Sequence, residues 1–152
     1  MTEHTDYNST THPLILAVAD WNNLRGHGLV KPCSFLVRKN GSYYEALEGD
    51  KSTIAYGGSA NVGGASGSSA AAVINAASAV GAVFLRDATY TVTSELVLQH
   101  DATGESKAGT IITTASTTII LVHAKGEITC SGFTVKGSGR ANTNIGIKLI
   151  GA

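Results

Sequence analysis

Five residues around one glycine-rich turn offer the most legible chemistry in this sequence: Lys136, Arg140, Asn142, Asn144 and Lys148. Lined up along a groove, these cations and amides would hydrogen-bond sugar hydroxyls or acidic uronates, with Arg140 making the bidentate contact. The competing reading is an ordinary polar turn, where charged residues usually sit. From Ala82 to the end, the carboxylates are Asp87, Glu95, Asp101, Glu105 and Glu127. None are adjacent or two apart, so the spacing suits neither calcium's oxygen-rich shell nor a paired acid and base. No catalytic residue is assigned and no metal site is expected. His100 and His123 each follow an apolar run, without a second ligand at metal spacing, and read as solvated turn histidines. Cys33 and Cys130 read as two isolated buried thiols in preference to a disulfide.

The elements that must position these groups come from composition and period. Lys+Arg and Asp+Glu are each 11, so the formal net charge is zero, and no basic field is available to attract a phosphate backbone. A nucleic-acid binder is therefore not expected. Only 14% of residues are charged while 18 are glycine, so Ser, Thr, Asn and Gly must supply the surface. No stretch approaches the roughly 18 apolar residues of a membrane span, and the N-terminus lacks a secretory signal. Localisation stays unknown on these grounds. The composition suits an extracellular or virion-associated role reached by a leaderless route, a missing upstream portion, or delivery in a particle.

Four segments follow along the chain. Residues 1–11 read as a disordered lead-in. Residues 12–57 read as a module with a helix from Pro13 to about Leu24, stopped by Gly26, and a β-meander. In it Asn40-Gly41 forms a hairpin turn with positive φ at both positions. Residues 58–69 read as a Gly/Ser-rich linker. Residues 70–152 begin with an amphipathic helix, Ala70 to Val80, with Ser68 or Ser69 as N-cap and Gly81 as stop. It leads into short β-branched runs separated by turns. Leu98 to Ile120, Ile111 to Phe133 and Ile128 to Ile150 recur at 22 residues. This predicts an all-β solenoid, a right-handed parallel β-helix of about three coils, incomplete at its C-terminal end, with the helix capping its first coil.

Residues 69–99, SAAAVINAASAVGAVFLRDATYTVTSELVLQ, resemble the start of right-handed parallel β-helix proteins of the pectate-lyase-like superfamily. There a capping helix leads into an apolar strand, a "GTY-x-V" turn and an "L-x-L" strand. Ile128 to Gly137, ITCSGFTVKG, is similar to a recurrent coil of that group. The resemblance covers about residues 68–152 and departs from the pattern at Ala88, where glycine is usual. It implies a protein that binds or processes polysaccharide, a lyase or glycoside hydrolase if it is an enzyme, with catalytic coils beyond residue 152. Calcium would belong to those further coils if the protein is a lyase, and this stretch alone would be inactive. The partner implied is a polysaccharide or surface glycan. The alternative is a non-catalytic structural or receptor-binding spike, forming a homo-oligomer or stacking through its open C-terminal coil. Gly26-His27-Gly28 matches a polygalacturonase motif only superficially, since it precedes the repeats, and reads as a helix-stop turn.

Overall fold

A computed structural model describes residues 34–49, 52–116, 120–139 and 145–150, all within one compact unit, Cys33–Ala152. The expected lead-in, the helix from Pro13, the Gly26-His27-Gly28 turn and Cys33 lie outside the described residues.

A hairpin opens the described fold. Strand β1 (Phe35–Asn40) pairs antiparallel with β2 (Tyr43–Glu48), and β2 pairs with β3 (Ile54–Gly57). The register differs by one residue from that expected: Asn40 pairs with Tyr43, so the two-residue loop is Gly41-Ser42. Gly41 alone takes positive φ, at 60°, which is what a loop with glycine in its first position requires. The Gly/Ser-rich stretch that follows is tied by turn bonds, including Gly67 N–H to the Asn61 side chain at 2.9 Å.

Helix α1 (Ala70–Val80) forms where its caps place it. Ser69 Oγ accepts from Ala72 N–H at 3.2 Å, and Gly81 N–H donates to Ala77 at the other end. Its buried face carries Ala70, Ala71, Val73, Ile74, Ala77 and Ser78. Nine short strands come next: β4 (Val83–Leu85), β5 (Ala88–Thr91), β6 (Leu96–Leu98), β7 (Ala102–Gly104), β8 (Thr110–Thr113), β9 (Ile120–Lys125), β10 (Cys130–Ser131), β11 (Thr134–Lys136) and β12 (Ile145–Ile150). Alternation along them sends Leu96, Leu98, Ile112 and Val122 into one core with Val37, Tyr90 and the helix. Each fully buried aliphatic side chain contributes about 1.5–3 kcal/mol relative to exposure.

The predicted right-handed parallel β-helix, preceded by a separate meander, is corrected here. The molecule has mixed sheets: one of six strands in the order β10-β7-β4-β1-β2-β3, with both antiparallel and parallel pairs. Two three-stranded parallel sheets, β11-β8-β5 and β12-β9-β6, complete the described strands. The hairpin does not stand ahead of a solenoid. Phe35, Leu36 and Val37 pair in parallel with Val83, Phe84 and Leu85, so two apolar runs of matching alternation share one sheet. The steps between paired rungs are also unequal. Val83 meets Ala102, Thr89 meets Ile111, and Leu96 meets Val122, so the constant spacing of 22 does not hold.

Helix α1 satisfies the edge of β6 with side chains. Asn75 Oδ1 accepts from Val97 N–H at 2.7 Å, Asn75 Nδ2 donates to Glu95 O at 3.0 Å, and Ser78 Oγ accepts from Gln99 N–H at 2.9 Å. A strand edge left open would expose unpaired backbone groups that recruit other chains. Asn75→Ala strands the Val97 amide beneath the helix. Its expected cost is about 1–3 kcal/mol of unfolding free energy, read from the urea midpoint; an unchanged midpoint would show that the edge is satisfied otherwise.

Candidate functional site

The six-stranded sheet carries a row of charge across four neighbouring strands. Val37, Leu85 and Gly104 share one rung through their pairings; the next residues are Arg38 within β1, and Arg86 and Glu105 just past the ends of β4 and β7. The ladder continues there, with Arg86 N–H donating to Val37 O at 2.9 Å and Glu105 N–H to Leu85 O at 2.8 Å. On the other side of β1, Arg38 faces Glu45 of β2. Across the sheet the order is therefore Glu45, Arg38, Arg86, Glu105: negative, positive, positive, negative.

Each arginine is drawn toward its flanking carboxylate. Arg38 Nε donates to Glu45 Oε1 at 2.5 Å, and Arg86 Nε donates to Glu105 Oε2 at 2.9 Å. The Glu45 side chain is 3% exposed and also accepts from Asn40 Nδ2 at 3.3 Å. Arg38 and Arg86 remain 46% and 53% exposed, and these pairs use one Nε–H each of the five donors on a guanidinium. The central neighbours are like charges on adjacent strands about 4.8 Å apart. The arrangement favours an anion over the middle of the row.

A cleft of about 480 Å³ lies there, lined by Leu36, Arg38, Lys39, Arg86, Asp87 and Glu105. Its carboxylates are occupied as acceptors. Asp87 takes the Ser106 hydroxyl at 2.9 Å and the Thr110 hydroxyl at 2.9 Å, and Glu105 Oε2 also takes the Asp87 N–H at 2.9 Å. Lys39 Nζ lies 5.6 Å from the centre of the Tyr44 ring, a cation–π distance. Tyr43 is 41% exposed. Two residues before Glu45 on β2, it shares the face that carries the arginines.

Beneath the row, Tyr90 is fully buried, and its hydroxyl lies 2.7 Å from Arg86 O and 3.1 Å from Val37 O. Burial first, then the neighbouring Glu105 carboxylate, pushes this phenol well above its usual range. It therefore stays protonated and acts as donor.

Of the five residues expected to bind sugar, the structure describes two. Lys136 is exposed at the end of β11, and Lys148 is exposed on β12, which belongs to a different sheet. Arg140, Asn142 and Asn144 lie outside the described residues. Sequence reasoning missed Arg38, Arg86 and Tyr43. Arg38 belongs to the hairpin and Arg86 to the segment after the helix, and only the strand order makes them neighbours. Cys130 is a half-buried free thiol, pushed up by burial and then by Asp101. Among the described residues no group of three or more His, Cys, Asp or Glu could hold a metal ion.

His123 differs from its expected place as a solvated turn histidine. It sits within β9, 8% exposed, with Nδ1 2.9 Å from Glu95 Oε1. Nε2 is buried and meets no hydrogen-bond partner among the described residues. No protein-family model matches the chain, and neither curated proteins nor solved structures give a match. No helix among the described residues is long and apolar enough to cross a membrane.

An unpaired buried ring nitrogen carries a desolvation cost that an apolar ring would not, and Glu95, 38% exposed, can return to water. His123→Phe should leave stability within about 1 kcal/mol of the parent or raise it. A loss above about 2 kcal/mol in denaturant unfolding would mean that Nε2 is satisfied.

Proposed function

We propose that the protein binds an acidic polysaccharide or surface glycan, holding its oxyanion groups over Arg38 and Arg86. The observation that carries this reading is the pair of half-exposed guanidinium groups side by side in a cleft, each tethered through Nε and each with donors to spare. Guanidinium forks match carboxylate geometry, and such charge-assisted bonds are stronger than neutral ones. Tyr43 supports a sugar over a bare anion, because an exposed ring on the same face gives a pyranose a flat apolar surface to stack on. The resemblance of residues 69–99 to pectate-lyase-like proteins points to the same ligand class.

Binding is favoured over turnover at this cleft. Acid–base cleavage of a glycoside needs carboxyl groups free to give and take a proton. Asp87 and Glu105 instead accept hydrogen bonds from Ser106, Thr110, Arg86 and the Asp87 amide.

Calorimetric titration with polygalacturonate, and with an uncharged glucan as control, tests the reading. Binding to the acidic polymer alone is expected, weakening as salt rises. Tyr43→Ala should lower affinity for the polymer by several-fold. Equal binding to both polymers, or to neither, overturns the proposal.

A further inference from the structure

We infer that Arg38 and Arg86 act as one clamp for a single oxyanion carried on a sugar, with Tyr90 as the residue that sets the clamp's width. The inference rests on the glycan-binding reading and specifies what the site grips. Two independent subsites, each holding one acidic sugar, would place two anions over strands only about 4.8 Å apart. Those anions would repel one another as the arginines do. One shared anion instead relieves the repulsion between the arginines.

The tethers suit this arrangement. Glu45 holds Arg38 from the β2 side and Glu105 holds Arg86 from the β7 side, both through Nε. The terminal Nη groups of both guanidinium planes are left to serve the space above the row. Beneath the row, one buried hydroxyl adds a side-chain tie to the backbone ladder between β1 and β4. Tyr90 OH is shared between the carbonyl of Val37, the residue before Arg38, and the carbonyl of Arg86 itself. Nothing else described joins these two carbonyls through a side chain. Phenylalanine at 90 would keep the ring in the core and remove this tie.

A carboxylate and a sulfate ester share the chemistry the clamp recognises, so both are probed, as polygalacturonate and as dextran sulfate, at one ionic strength. The full chain is titrated as wild type, Arg38→Gln, Arg86→Gln and the double variant, with circular dichroism confirming the fold of each. Arg86→Lys, which keeps the charge and loses the fork, serves as the second variant if a glutamine form does not fold. Each single substitution should weaken binding about tenfold or more. The double variant should lose little beyond either single one, because a one-armed clamp has already failed. In a Tyr90→Phe background the wild-type affinity should fall several-fold and the Arg38→Gln effect should shrink, a readout that general destabilisation would not produce.

Single losses that multiply in the double variant would overturn the clamp and keep the glycan reading. An unchanged Arg38→Gln effect in Tyr90→Phe would overturn the role given to Tyr90. If neither polymer binds and sodium sulfate, titrated into the same variants, shows non-additive losses, the glycan reading is sunk and the clamp is supported.

Discussion

Three parallel rungs join the hairpin to the rest of the described fold: Phe35 with Val83, Leu36 with Phe84, and Val37 with Leu85. Closing a loop of roughly 50 residues costs on the order of 3 kcal/mol beyond a constant. Burying Phe35, Val37, Val83 and Leu85 on the inner face returns about 1.5–3 kcal/mol each. The apolar term wins, and with it the hairpin becomes part of a six-stranded sheet. The same joint makes Arg38 a neighbour of Arg86. Core and candidate site thus depend on one register, because a slip of one residue would turn Arg38 inward and Val37 outward.

Placement at the centre of the sheet also explains why the charges can be held in order. β1, which carries Arg38, and β4, which Arg86 directly follows, each have a neighbour on both sides. The like-charged middle of the row is tolerated because a carboxylate flanks each arginine. An exposed ion pair alone contributes only about 0–1 kcal/mol. The value of these pairs lies in aiming the guanidinium planes more than in stability.

Local features were legible in the sequence, and those that depend on distant pairing were not. Ser69 and Gly81 bound the helix as read, because capping is a matter of four or five consecutive residues. The runs Val83–Leu85 and Leu96–Leu98 are strands as their period indicates. The hairpin was found, yet its loop was misplaced by one residue, since Asn-Gly and Gly-Ser both satisfy a two-residue turn. A constant repeat could not be recovered because turns of different lengths separate the rungs. The parallel joint between β1 and β4 leaves no mark beyond two short apolar runs, which resemble many others. For the same reason nothing along the chain links Arg38, Arg86 and Glu105. Neighbours in the sheet can lie far apart along the chain, as Arg38 and Arg86 do.

The distinction between holding a ligand and transforming it follows from how hydrogen bonds are spent in the cleft. Asp87 is committed to the turn that contains Ser106 and Thr110, with Gly109 N–H in turn donating to the Ser106 hydroxyl at 2.9 Å. Glu105 is committed to Arg86 and to the Asp87 backbone. Recruiting either as a catalytic acid would break the turn or release the Arg86 tether. The donors, by contrast, are in surplus. Tethered donors and engaged carboxylates together suit the proposed reading, in which an anion is recognised and left intact.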